Sequence, residues 1–222
     1  MPQENPISIL FENNHYIVFN KPAGLLVIPT PKAEKRTLMT LVNESYSKDE
    51  SWRLHPCHRL DRETSGVIIF AKGKGNQQRL MQAFKERLIK KRYIAFVHGK
   101  FAKNKGEMRS HITHRLEGMS HKHSAAKLAI TKYKVLEVRK LYSIVEVEPV
   151  TGRTNQIRIH FQQSGYPLVG ERKYAFARDY SLKFNRVALH AASVEWRDNI
   201  DGQYIRVEAS LPKDMQEFMQ KN

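Results

Sequence analysis

The 222-residue sequence predicts an α+β fold in which helices and loops flank a large, mainly antiparallel sheet. Two observations carry this. Runs rich in β-branched and aromatic residues outnumber stretches with helical spacing, and most are joined by short turn sequences. No internal repeat, low-complexity tract or linker interrupts the chain, which is long enough to bury a substantial core. A single domain spanning 1–222 is therefore expected, with its core at about 9–211.

In chain order, Ile7 to Phe11 and Tyr16 to Asn20 read as strands about the turn Glu12-Asn13-Asn14. Leu25 to Ile28 reads as another, after Pro22-Ala23-Gly24. Thr37 can cap a helix reaching Ser47, with Leu38, Leu41 and Val42 on one face. Val67 to Ala71 is an apolar strand behind Gly66. A second helix is expected over Asn76 to Arg87, with Leu80, Phe84 and Leu88 as its buried stripe. Tyr93 to Val97 follows as a strand entered from Lys90-Lys91-Arg92. From about 99 to 126 the pattern dissolves into a polar, basic segment, read as a long excursion or irregular hairpin. Ile130 to Val138 and Tyr142 to Val147 form a strand pair, and Asn155 to Gln163 a helix ending at Gly165. Val187 to Trp196 and Tyr204 to Ser210 make a hairpin around Asp201-Gly202, and Met215 to Met219 a short terminal helix.

Lysine and arginine total 38 against 22 acidic residues, a formal charge of +16. Such an excess, spread over patterned segments rather than gathered in a tail, points to a folded surface that meets a polyanion. No apolar run approaches the roughly 20 residues of a spanning helix, and the first five residues lack signal-peptide layout. A lone cysteine, Cys57, cannot form an intrachain disulfide and reads as a small packed side chain. A cytoplasmic, monomeric protein without membrane contact is the expectation.

The most chemically suggestive stretch is His58-Arg59-Leu60-Asp61-Arg62-Glu63-Thr64-Ser65-Gly66. Guanidinium groups beside a carboxylate favour its ionised form, so Asp61 is a candidate nucleophile or base. Read alone, the stretch is better explained as a structural salt bridge. Four other places set polar groups at the ends of apolar elements: Asn20 to Gly24, Lys91-Arg92-Tyr93, Thr151 to Arg158, and Gly170 to Tyr174.

In their order and spacing these segments resemble the RluA family of RNA pseudouridine synthases. The pattern has a lysine-proline turn, HRLDxxTSG, a KRY strand start and GRxHQxR, and it extends from Ile9 to about Leu211. The resemblance implies a pseudouridine synthase-like fold and the conversion of uridines in structured ribosomal or transfer RNA to pseudouridine, with no cofactor and no metal. It also implies roles. Asp61 matches the catalytic aspartate. Tyr93 matches the tyrosine that stacks on the target base and helps move a proton, and Arg158 the arginine that pairs with the catalytic carboxylate. Arg59 matches the arginine that fills the RNA stack after base flipping. Lys21 matches an early basic residue near the cleft, and Arg62 and Arg153 are placed with Lys21 among the RNA contacts.

Two positions depart from the pattern. Asn155 stands where histidine is usual and Glu171 where aspartate is usual, and neither is expected to touch the three central residues. The pattern starts within about ten residues of Met1, so no S4 RNA-binding domain is expected before it.

The residue types suit the chemistry. Glycoside hydrolysis needs a second carboxylate to handle water or the leaving group, and no comparable acidic motif is present, which favours isomerisation. Whether Asp61 attacks the sugar carbon, adds to the base or takes a sugar proton stays open. A stacked uridine must be flipped out at a cost of a few kcal/mol, which basic groups and an aromatic platform offset. His111, His114, His121 and His123 could bind zinc, but an RNA-contacting segment with Arg109, Arg115, Lys122 and Lys127 is the stronger reading. A non-catalytic RNA-binding or assembly factor and a base-releasing glycosylase are the alternatives.

Overall fold

Strand-forming runs dominate the chain, as expected, and the helices lie between them. The computed structural model describes residues 7–31, 33–47, 52–101, 103–113, 125–175 and 180–222. By their contacts the residues form two units, 1–91 with 191–212 and 92–190 with 213–222.

The first unit contains β1 (Ser8–Glu12), β2 (Tyr16–Lys21), β3 (Leu54–Pro56), β4 (Ser65–Lys72), most of β9 (Leu189–Arg197) and β10 (Tyr204–Glu208). Strand order is β1-β2-β4-β9, with β3 on β4 and β10 on β9. The pairs β1–β2, β2–β4, β3–β4 and β9–β10 are antiparallel. The first hairpin turns where Asn13 Oδ1 accepts the amides of His15 and Tyr16 at 2.9 and 2.7 Å, a side-chain substitute for a backbone turn. Alternate residues of β2 and β4 (Tyr16, Val18, Val67, Ile69, Ala71) meet Leu80, Val194, Trp196 and Val207 in one core, since successive side chains leave opposite faces, while Ile17, Phe19, Ile68 and Phe70 are buried too.

Helix α1 (Leu38–Tyr46) begins at Thr37 and stops at Ser47, as the capping signal predicts. The Thr37 hydroxyl accepts the Thr40 amide, and the Thr40 hydroxyl accepts the Thr37 amide, so two donors at the helix start are satisfied reciprocally. Thr37→Ala is expected to cost about 1 kcal/mol, read as a melting temperature lower by about 2–4 °C. Leu25 to Ile28 is not a strand. Its Leu26 and Val27 carbonyls instead accept the Leu38 and Met39 amides of the first turn of α1, so backbone groups that a sheet would use are committed to a helix end. Helix α2 (Lys74–Lys85) buries Leu80 and half-buries Phe84. Leu88 lies past its end and is 63% exposed, because the chain turns at Arg87 with φ 62° and leaves the helical register.

The second unit contains β5 (Lys90–His98), β6 (Lys105–Ile112), β7 (Lys127–Val138), β8 (Tyr142–Pro149), α3 (Gln156–Gln163) and α4 (Lys213–Lys221). Strand order is β5-β8-β7-β6 and each neighbouring pair is antiparallel. The core gathers Ala95, Val97, Phe101, Val145, Val147, Ile157, Phe161, Leu168 and Val187. Of the two readings of this segment, the hairpin is the nearer for its described part, and it is regular: all eight residues of β6 pair antiparallel with β7. Its sequence hides this because, of the positions that alternate with exposed Lys105, Glu107, Arg109 and His111, Met108 and Ile112 are apolar but Gly106 and Ser110 are not, leaving little apolar period. Residues 114–124, which carry His114, Arg115, His121, Lys122 and His123, lie outside the described residues.

Candidate active site

Asp61 lies in the loop between β3 and β4, and several independent ties hold that loop. At its entry His58 Nε2 accepts the Ile69 amide of β4 at 3.1 Å, with the ring 4.9 Å from Phe84. An imidazole accepting at Nε2 is neutral, and burial, aided by the Lys91 charge, lowers its pKa to about 3. At the centre the Thr64 amide donates to the Asp61 carbonyl at 3.1 Å, closing a turn. Leu60 and Thr64 are buried, Asp61 is half-buried, and Arg59 and Arg62 are exposed. The loop thus keeps its apolar and hydroxyl side chains inward and presents both arginines to solvent.

Gly66 fixes where β4 starts. Its φ is +110°, and a Cβ there would lie 2.2 Å from the Ala191 carbonyl oxygen, so only glycine permits both the conformation and the close approach.

Lys21, expected at the RNA, has another task. Its side chain is fully buried, and Nζ donates to the carbonyls of Pro22 at 2.9 Å, Leu25 at 2.8 Å and Arg62 at 3.1 Å. The Gly24 amide donates to the same Arg62 carbonyl at 2.8 Å. An ammonium that would be costly to bury alone is satisfied by backbone oxygens, and the Asp61 loop is pinned to the lysine-proline turn. The expected RNA contact is therefore corrected: Lys21 positions the loop.

In the second unit, Tyr93 sits on β5 opposite Val147 of β8, half-buried against the core. The motif from Thr151 to Arg158 is organised by Gln156, which is 3% exposed. Its Oε1 accepts from the Thr151 hydroxyl and the Arg153 amide, and its Nε2 donates to the Ile130 carbonyl and the Thr131 hydroxyl. All four hydrogen-bonding capacities of the amide are used, tying the start of α3 to β7. Gln156 was not singled out from sequence; a polar side chain among Ile157, Ile159 and Phe161 was the available signal. Arg153 is half-buried, with Nε donating to the Leu128 carbonyl at 3.3 Å.

Arg158, on the first turn of α3, is buried, and its partners overturn one expectation. Nε and Nη2 each donate to Glu171 at 2.7 Å, on Oε2 and Oε1, a bidentate fork. Nη1 donates to Asn155 Oδ1 at 3.1 Å, and the guanidinium lies 5.2 Å from the centre of the Tyr174 ring. The two departures from the pattern, expected to leave the central residues alone, both grip Arg158. Burial by itself would raise the Glu171 pKa, but the guanidinium's hydrogen bonds and charge, with the Lys173 and Tyr174 amides, outweigh it and hold the carboxyl below its ordinary value.

Among the described residues, His15, Asp198 and Asp201 bring possible metal ligands within 4.8 Å of one another; they lie on turns of the first unit and include none of the motif residues. Cys57 is buried, which pushes its thiol up to about 12, consistent with a packed, unreactive side chain.

Residues 15–163 match the family described as RNA pseudouridylate synthase. An uncharacterized RNA pseudouridine synthase of Bacillus subtilis, YhcT, is 35% identical over 97% of this chain and 72% of its own length. Ribosomal large subunit pseudouridine synthase D of Blochmanniella floridana is 33% identical over 97% of this chain and 72% of its own. The corresponding synthase C of Rickettsia prowazekii is 35% identical over 92% and 68%. In fold, the chain is similar to human RNA pseudouridylate synthase domain containing 4, with a TM-score of 0.78 at 23% identity over 96% of this chain and 92% of that one.

Proposed function

The chain belongs to the RNA pseudouridylate synthase family, and from that premise we propose that it isomerises one or more uridines of large-subunit ribosomal RNA, with Asp61 doing the chemistry. Isomerases of this family act on RNA, and the formal charge of +16 suits a phosphate-rich substrate. The ribosomal target is the one carried in the names of two relatives; transfer RNA is the other substrate the family resemblance offers. The observation that carries the residue assignment is the Asp61 loop itself, a carboxylate between two exposed arginines on a backbone pinned by His58 and Lys21.

In the reaction the bond from uracil N1 to ribose C1′ breaks, the base turns, and C5 bonds to C1′. The C5 proton departs and N1 ends protonated, so no water, metal or cofactor is consumed. Asp61 is the group that acts during cleavage and rejoining. Tyr93 offers a ring on which the displaced base stacks, and Arg158 is the arginine to which the family resemblance gives the role of holding the reacting carboxylate ionised. Arg59 and Arg62, both exposed, contact the opened RNA, Arg59 taking the place of the flipped nucleotide, and Arg153 supports the RNA from the second unit. We place the enzyme in the cytoplasm as a monomer; no described helix is long and apolar enough to cross a membrane.

The test is a comparison of pseudouridine positions in total RNA from cells with and without the gene. A site in large-subunit RNA that disappears with the gene and returns with the wild-type copy is expected. Loss confined to transfer RNA would overturn the target, and an unchanged map would overturn the function. Binding of the RNA should also weaken steeply with salt, by about 10³-fold or more between 50 and 200 mM for six or more phosphate contacts. Affinity that stays flat over that range would remove the electrostatic part of the reading.

A further inference from the structure

We propose that Asn155 and Glu171 are a matched pair of positioning residues for Arg158, so that the identity of either one is conditioned by the other. The proposal rests on the reading of Arg158 as a catalytic residue. Its basis is the way the guanidinium is held from two sides. On one side Glu171 takes the Nε and Nη2 edge, both at 2.7 Å. On the other, Asn155 Oδ1 takes Nη1 at 3.1 Å while its Nδ2 donates to the Tyr174 hydroxyl at 2.9 Å. Tyr174 in turn places its ring 5.2 Å from the guanidinium carbon. The four side chains therefore form one connected group.

Each jaw of this clamp is anchored by backbone. Glu171 is 2% exposed, and its Oε1 also accepts the amides of Lys173 at 2.8 Å and Tyr174 at 3.2 Å. It follows Gly170, where φ is +80° and a Cβ would lie 1.8 Å from the Arg186 carbonyl oxygen. The carboxylate consequently stands at a height fixed by main chain, with no slack to follow a displaced arginine. Asn155 has φ 54° and ψ 20° at the start of α3. Asparagine tolerates that left-handed conformation better than most residues, and its short amide can accept from Arg158 and donate to Tyr174 at once.

Span links the two jaws. Glutamate reaches one methylene further than aspartate, and asparagine reaches less far than histidine. The combination found here places the longer arm on the Glu171 side and the shorter on the Asn155 side; aspartate with histidine would reverse the lengths. Mixing one residue from each combination gives a gap in one case and crowding in the other. Either hybrid should move the guanidinium, whereas exchange of both keeps it clamped.

The experiment measures kcat, KM and melting temperature for Glu171→Asp, Asn155→His, the double variant, Asn155→Gly and Arg158→Lys. The substrate is total RNA from cells lacking the gene, which contains the target whatever its identity. Each of Glu171→Asp and Asn155→His is expected to lower kcat about tenfold with KM within about twofold, and the double variant to recover to within about threefold of wild type, a coupling well beyond additivity. Asn155→Gly keeps the backbone conformation, removes one jaw, and should lower kcat about threefold or more with little change in melting. Multiplicative losses in the double variant, or full kcat in Asn155→Gly, overturn the matched pair. Arg158→Lys turning over like wild type overturns the reading of Arg158 itself, a result distinguishable from failure of the clamp.

Discussion

Replacing Asp61 with asparagine is expected to abolish pseudouridine formation, by at least about 10³-fold in single-turnover rate, while RNA affinity stays within about threefold. The two halves of this expectation have different physical origins. Asparagine has nearly the volume of aspartate, so the turn closed by the Thr64 amide on the Asp61 carbonyl, a main-chain contact, survives. The ties at His58 and Lys21 also involve other residues. What the substitution removes is the charge and one carboxylate oxygen. Binding, by contrast, is dominated by phosphates meeting a chain of formal charge +16, and it depends little on one half-buried acid. Retention of turnover by Asp61→Asn and by Asp61→Ala would refute the assignment. Release of free uracil with an abasic product would make the enzyme a glycosylase, and that outcome is read from the same reaction mixture.

The elements that were legible in sequence are those whose stabilisation is local or periodic. The continuous apolar runs of β2 and β4, the cap at Thr37 and the asparagine turn at Asn13 each leave a signature within a few residues. Leu25 to Ile28 has the composition of a strand, but the Leu26 and Val27 carbonyls serve a helix start more than ten residues away, and nothing local records that. The same limit governs the site. The Asp61 loop stands out by its motif, whereas the bidentate hold on Arg158 comes from Glu171, 13 residues on, in a segment that sequence marks only as polar groups at the end of an apolar element. A bidentate partner is chosen by where the backbone brings a carboxylate, which no local pattern around Arg158 records. Lys21 misled for a related reason, since a lysine before Pro-Ala-Gly looks solvated unless the carbonyls that fold around it are known.

That misreading gives the second large effect. Lys21→Met keeps the aliphatic stem and removes the ammonium that the carbonyls of Pro22, Leu25 and Arg62 accept from. At about 1–3 kcal/mol per unsatisfied group, tempered because the Arg62 carbonyl keeps the Gly24 amide, the loss is about 3 kcal/mol or more, a fall of about 6–12 °C in melting temperature for a chain of this size. Lys21→Arg should not restore stability, because a planar five-donor fork cannot occupy a site shaped for a compact ammonium. Turnover should fall even well below the melting transition, since the Arg62 carbonyl is one residue from Asp61 and its tether sets where that carboxylate stands. A surface lysine on RNA would behave in the opposite way: melting unchanged, affinity lower for every RNA, and a salt slope smaller by about one. The direction of the melting shift therefore decides between a phosphate contact and a buried strut, and burial of the whole Lys21 side chain requires the strut.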